Sequence, residues 1–179
     1  ADVLAENTQV ATIDPVTRRL RLATGETVLL TDTVGFIQKL PTDLVAAFRA
    51  TLEELESADL LLHVIDIAHP NAFEQTRTVE LTLGDLGVAG RPTLLVLNKA
   101  DLLQDEDGAT VGSYDGALTE LAGAGVPPPN VVLVSAEKRW GFDRLLAKIA
   151  GGLDGEIEAA PDGGMAQVLL GREAEDAAV

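Results

Sequence analysis

Thr93-Leu94-Leu95-Val96-Leu97-Asn98-Lys99-Ala100-Asp101 is the most informative stretch of the 179-residue chain. Its first five residues run without the polar alternation of a half-exposed strand, then stop abruptly in a polar cluster. A segment of this kind reads as a strand buried on both faces, as in parallel sheets covered by helices. Leu60-Leu61-Leu62-His63-Val64-Ile65 is a second such run and ends at Asp66; Asn130 to Val134 is a third, shorter one and ends at Ser135. Between them, Pro70 to Leu86 and Ala109 to Ala124 carry helical patterns. Gly87, Gly90-Arg91-Pro92 and Pro127-Pro128-Pro129 punctuate these segments, and Phe142 to Ala150 supplies a last helix. From Asp59 onward the order strand, helix, strand, helix, strand, helix predicts an α/β fold with right-handed crossovers and a parallel sheet.

Upstream, Arg18-Arg19-Leu20-Arg21-Leu22-Ala23 alternates charged and apolar residues. Thr24-Gly25-Glu26 is a turn, and Glu26 to Thr31 is a second strand, expected to be the more buried of the two. Together they predict an antiparallel hairpin. Asp32 to Pro41 reads as loop, and Leu44 to Glu56 as a helix with Leu44, Phe48, Leu52 and Leu55 at helical spacing. After Gly152 the sequence turns to Gly, Ala, Asp, Glu and Pro. The folded unit is therefore expected over residues 1–151, with 152–179 a linker or disordered tail.

Hydrophobic residues make up 46% of the chain, enough for one domain with a real core; aromatics are only 3%, so that core is aliphatic. Cysteine is absent, which removes disulfides and thiolate metal sites. No apolar run approaches the roughly 20 residues that span a bilayer, and no basic-then-apolar signal segment opens the chain. A cytoplasmic protein without membrane contact, and a monomer, is the expectation. The net charge of −16 opposes unaided binding to DNA or RNA, whose phosphates call for Lys and Arg. Docking on a ribonucleoprotein through a basic segment stays compatible with it.

In open α/β sheets, ligands sit beyond the carboxyl ends of the strands. Asp32, Asp66, Asn98 and Ser135 all fall at such ends. Asn98-Lys99-Ala100-Asp101 suits a guanine base. Guanine offers two adjacent donors, a ring N–H and an exocyclic amine, and a carboxylate such as Asp101 accepts both. Leaving a buried polar partner unpaired is costly, so one residue discriminates strongly against adenine. Asn98 either bonds the base or braces the loop, and the Lys99 stem can lie across the base. An ordinary strand-end turn uses the same residue types. Asp32-Thr33-Val34-Gly35 suits a metal and phosphate sensor: Asp32 holds Mg²⁺ through water, and the Gly35 amide meets a terminal phosphate with no side chain in the way. A plain loop after a strand explains the same letters. In Ser135-Ala136, the Ala136 N–H can meet the guanine carbonyl oxygen. Thr12 is a candidate second metal and γ-phosphate contact. His63, His69, Trp140 and the Glu53-Glu54-Glu56 cluster read as structural or solvated residues without chemistry.

Five segments carry a specific resemblance. Ala1 to Glu6, Ala11 to Arg19, Leu30-Thr31-Asp32-Thr33-Val34-Gly35-Phe36-Ile37 with Leu40-Pro41, Ala47 to Glu54, and Ala58 to Asp66 resemble the G domain of the HflX GTPases, over roughly residues 1–150. The resemblance implies a P-loop NTPase-type G domain with a mostly parallel sheet, GTP as substrate and Mg²⁺ as cofactor. It also implies association with the large ribosomal subunit and the splitting of stalled or hibernating ribosomes. By position it assigns Thr12 to switch I, Asp32 to Gly35 to switch II, Asn98, Lys99 and Asp101 to base specificity, and Ser135-Ala136 to the last guanine contact. Many related GTPases have Gln after the switch II Gly to orient the attacking water. Here Phe36 follows Gly35, so no side chain at that position takes a proton, and hydrolysis is expected to depend on groups supplied by the ribosome or by backbone.

A Gly-rich loop ending Gly-Lys-Ser or Gly-Lys-Thr does not occur among the 179 residues, and the first residue is Ala1. The expectation is an N-terminally truncated G domain lacking its first strand, phosphate loop and first helix. Such a chain alone would bind GTP weakly or not at all and would be poorly stable at its open sheet edges. The alternative is a degenerate GTPase-like module that keeps the fold and binds a partner without catalysis. A coding sequence for Gly-x-x-x-x-Gly-Lys-Ser directly upstream would favour the enzyme; a start codon before Ala1 would favour the module.

Overall fold

The structure, a computed structural model, describes residues 16–32, 55–85, 87–88, 90–105, 107–123 and 130–157. Five strands lie among them. β1 (Val16–Arg21) and β2 (Thr27–Asp32) form an antiparallel pair, joined by a tight turn in which Gly25 has φ 94°. β3 (Leu61–Asp66), β4 (Thr93–Asn98) and β5 (Val131–Leu133) form a parallel sheet in the order β3-β4-β5. Helices α1 (Ala72–Asp85), α2 (Tyr114–Gly123) and α3 (Phe142–Leu153) follow the three parallel strands in turn. The α/β alternation expected from Asp59 onward is thus present. Of the helix expected over Leu44–Glu56, only Leu55 and Glu56 are described, and both are helical. Among the described residues no helix is long and apolar enough to cross a membrane.

β4 explains why its sequence carries no alternation. Leu94, Leu95, Val96 and Leu97 are all buried, and they divide between two cores. Leu95 and Leu97 join Ile65, Val131 and Leu133 under α2; Leu94 and Val96 join Val132, Val134 and Ile149 of α3. Leu22 also enters the second core, with Leu20 and Val28 packed against it, so the hairpin lies on that side. Ile157 is buried there too, and the chain stays packed past the end of α3.

Two expectations need correction. β2 is far less buried than its apolar letters suggest: Leu29 is 69% exposed and Leu30 43%, and only Val28 and Thr31 are half-buried. Among the described residues β2 pairs only with β1, so one face of a two-stranded ribbon meets the core and the other meets solvent. Helix α2 begins at Tyr114 rather than near Ala109. Residues before it are held otherwise: Thr110 bridges Gln104, the Asp105 carboxylate accepts the Asp107 and Ala109 N–H groups, and the Ser113 hydroxyl accepts the Gly116 N–H at 3.1 Å. Side chains that bond nearby backbone compete with helix in this way.

His63 lies on β3, and its Nδ1 is buried without a hydrogen-bond partner among the described residues. Burial pushes its pKa down from 6.5 to about 4. A histidine whose pKa is lowered by folding leaves the fold at its full stability above pH 6.5, where it is neutral in both states. Part of that stability is lost as pH falls through the window between 6.5 and about 4, where the unfolded chain binds the extra proton. Acid titration of the unfolding free energy should therefore show a loss of about 2–3 kcal/mol across this window. H63L should remove that loss; an unchanged acid limb in H63L would exclude His63 as its cause.

Candidate functional site

The parallel strands deliver their carboxyl ends to one rim. Asp66 lies opposite Asn98 in the β3–β4 register, and Leu133 lies opposite Leu97, so Ser135 emerges two residues beyond β5 beside the Asn98 turn. The chain is held there by backbone bonds between the loops: Ala100 N–H donates to Val134 O at 3.0 Å, and Ile67 N–H to Asn98 O at 3.1 Å.

Lys99 turns the chain sharply. It adopts a left-handed conformation, φ 65°, and is followed by a 3₁₀ turn over Ala100–Leu102. A side-chain-bearing residue in that region costs about 1–2 kcal/mol, and such strain collects at functional loops. Here it is offset in part by an ion pair: Lys99 Nζ lies 2.6 Å from Asp66 Oδ2. The other oxygen of Asp66 accepts the Ala68 N–H at 3.2 Å, which fixes the carboxylate from two directions.

The turn places Asp101 half-buried on the rim, within reach of Ser135. Ser135 is fully buried, and its hydroxyl donates to Asp101 Oδ1. A serine hydroxyl has one hydrogen to give, so this donor is committed to Asp101, while Ser135 Oγ accepts the Lys138 N–H at 3.0 Å. Among the described residues Asp101 Oδ2 has no partner. The result is a carboxylate held by one oxygen and open at the other, the geometry for accepting hydrogen bonds from a planar pair of donors.

Asn98 braces the opposite side, its Oδ1 accepting the Ala136 N–H at 3.1 Å. Of the two roles open to Asn98 from sequence, bracing is the one seen in this structure, and it engages the same N–H that the sequence offered to a guanine carbonyl. Lys99 likewise points its charge to Asp66. The loop beyond is closed by reciprocal backbone bonds between Ser135 and Trp140, at 3.2 and 3.0 Å. Gly141, with φ 73°, then starts α3. Tyr114 of α2 donates its hydroxyl to Leu133 O at 3.1 Å, and the Arg144 guanidinium lies 5.2 Å from the Tyr114 ring centre.

Asn98, Lys99, Asp101, Ser135 and Ala136 are therefore brought together. Asp32 ends β2, exposed, in the other sheet, and among the described residues no hydrogen bond or ion pair joins it to this cluster. Thr12, Thr33, Val34, Gly35 and Phe36 lie outside the described residues. Asp66 was placed on the rim by its strand-end position, but its ion pair with Lys99 was not foreseen. Two supporting residues, Tyr114 and Gly141, carried no sequence signal, because their roles depend on a contact with the β5 carbonyl.

Residues 1–99 match the family model described as 50S ribosome-binding GTPase. The GTPase HflX of Caldanaerobacter subterraneus subsp. tengcongensis is 44% identical over 160 residues, 88% of this chain and 33% of that protein. The GTPase HflX of Escherichia coli is 41% identical over 158 residues, 88% of this chain and 34% of that protein. The chain belongs to the HflX family of GTPases. It spans about a third of the length of these HflX relatives. The fold agrees: a GTP-binding protein from the archaeon Sulfolobus solfataricus, solved in complex with GDP, superposes with a TM-score of 0.58 at 30% identity, over 78% of this chain and 44% of that one. The Asn98–Asp101 and Ser135–Ala136 rim thus belongs to an HflX-type G domain.

Proposed function

We propose that this chain supplies the guanine-binding rim of an enzyme that hydrolyses GTP on the large ribosomal subunit. The observation that carries the reading is Asp101, fixed by Ser135 at one oxygen and open at the other. In this reading Asp101 accepts the two donors on the guanine edge, Asn98 and Ala136 form the wall beside the base carbonyl, and Lys99 covers the ring with its stem. The family description supports the ribosomal partner, and release of stalled or hibernating subunits is the corresponding task. The protein acts as a monomer in the cytoplasm.

Magnesium fits what is present. Asp32 is an exposed carboxylate at a strand end without an ion-pair partner among the described residues, and Mg²⁺ is commonly held by one or two carboxylates while keeping several waters. Asp32 and Thr12 would hold it, with Thr33, Val34 and Gly35 beside the terminal phosphate; the ion would neutralise phosphate charge. Phe36 in the place of Gln leaves no side chain there to orient water, so hydrolysis is slow until the ribosome supplies the missing group. These 179 residues contain no Gly-Lys-Ser/Thr loop to cradle the phosphates, and the chain alone binds GTP weakly.

Calorimetric titration and phosphate release, with the full-length gene product and with residues 1–179, test the reading. The full-length protein should bind GDP at micromolar or tighter dissociation constants, and its GTP turnover should rise at least about tenfold with purified large subunits. Residues 1–179 should show no binding at micromolar concentrations. Equal affinity for adenine nucleotides, or rapid turnover without ribosomes, would overturn it.

A further inference from the structure

The chain is strongly acidic, yet three of its 13 Lys and Arg residues fall within four positions: Arg18, Arg19 and Arg21 on β1. All three are exposed, and among the described residues none pairs with a carboxylate. The only acidic residues between 16 and 32 are Glu26 and Asp32, at the two ends of the hairpin. Glu26 sits in the turn, where Thr24 donates to it at 3.1 Å, and Asp32 lies opposite Val16. The middle of the ribbon is therefore uniformly positive.

Strand geometry sorts these side chains. Residues two apart share a face. Leu20 turns with Leu22 and Val28 toward the core, so Arg19 and Arg21 stand on the opposite, solvent side. Cross-strand register sets Arg19 beside Leu29, Arg21 beside Thr27, and Thr17 beside Thr31, whose hydroxyls bond at 2.9 Å. The face thus offers two guanidinium forks flanked by hydroxyls. Guanidinium groups match phosphate oxygens in paired geometry, and serine and threonine hydroxyls are common auxiliary phosphate contacts. The net charge of −16 on the whole chain disfavours general contact with a polyanion, and the clustered arginines make this ribbon a favourable approach.

Resting on the ribosomal reading above, we propose that the outer face of the β1–β2 hairpin docks on the phosphate backbone of large-subunit RNA, through Arg19 and Arg21. The contact is to backbone, without base selection, because the face presents no pocket for a base among the described residues.

The test uses the full-length gene product and its binding to purified large subunits, and to phenol-extracted large-subunit RNA, over a range of salt. Each neutralised phosphate contributes roughly 0.7–0.9 to the slope of log affinity against log salt. R19Q/R21Q should therefore weaken binding and reduce the slope by about 1.5 on both probes, leaving GDP affinity unchanged. R19K/R21K should keep the slope, and R77Q, an exposed arginine on α1, should not alter it. If wild type binds both probes and R19Q/R21Q is unchanged, the proposal fails while the ribosomal reading stands. A slope change on subunits but not on extracted RNA would mean that the hairpin meets protein, which also overturns it. Failure of wild type to bind large subunits would sink the ribosomal reading itself.

Discussion

D101N in the full-length gene product is expected to lose GDP and GTP affinity by about 10³-fold while keeping its fold. The substitution is nearly isosteric, and an asparagine oxygen still accepts the hydroxyl of Ser135. What changes is the open side of the group. Asp101 Oδ2 is a pure acceptor; the asparagine nitrogen is a pure donor. On the proposed guanine reading, that donor would face the exocyclic amine of the base, two donors with no acceptor between them. Hydrogen bonds to charged groups contribute about 1.5–3 kcal/mol each, and the unpaired groups add their desolvation penalty. Two lost bonds therefore give about three powers of ten or more. The same logic makes a sharper demand. A base with a carbonyl in place of the amine, as in xanthine, offers an acceptor to the new nitrogen, so D101N should bind xanthosine diphosphate better than GDP. Calorimetry with the two nucleotides, and an unchanged melting temperature, decide it. Retained GDP affinity in D101N would remove Asp101 from the base site and with it the guanine assignment.

The parts of this fold that could be read from sequence are those in which chemistry repeats along the chain. β4 and β5 were legible because a strand buried on both faces has only apolar letters to offer, and the polar residues ending each strand mark the rim; β3 carries the same letters but is not buried on both faces, since Val64 is 60% exposed. The hairpin was legible from Arg18 to Leu22 because one face is wet and the other dry. The burial of β2 was not, since Leu29 and Leu30 look like core residues, yet Leu29 stands on the solvent face beside Arg19, and Leu30, on the face of Val28, is still 43% exposed. At the site, Asn98, Lys99, Asp101, Ser135 and Ala136 stood out by type and order. The bonds that make them a unit did not. Ser135 and Asp101 are 34 residues apart, and a serine has many possible acceptors. The left-handed turns at Lys99 and Arg139 were equally silent, because the usual sequence mark for that conformation is glycine or asparagine, and neither residue is one. Asp66 shows the intermediate case: its strand-end position was visible, its ion pair with Lys99 was not.

G141A is expected to be the most destabilising small substitution at the rim, by about 3 kcal/mol or more, with a melting temperature lower by about 10 °C. Two costs combine. Gly141 has φ 73°, where an alanine pays about 1–2 kcal/mol for the left-handed conformation. In addition, a Cβ there would lie 2.2 Å from Leu133 O and 3.0 Å from the Tyr114 hydroxyl. The carbonyl is backbone of β5 and cannot rotate away like a side-chain tip. Relief requires moving the start of α3 or breaking the Tyr114–Leu133 bond, and either movement disturbs the Ser135–Trp140 pairing that holds Ser135 against Asp101. G108A separates the two costs. Gly108 has a similar φ of 78° but nothing within 4 Å of its Cβ position, so alanine there pays for conformation alone, about 1–2 kcal/mol. Chemical denaturation of the full-length protein with each substitution should therefore show G141A at least about 1–2 kcal/mol worse than G108A. G141A should also bind GDP more weakly at temperatures where it remains folded, while G108A binds as wild type does. Equal losses for the two variants would mean that the β5 carbonyl yields easily, and that Gly141 does not hold the rim in place.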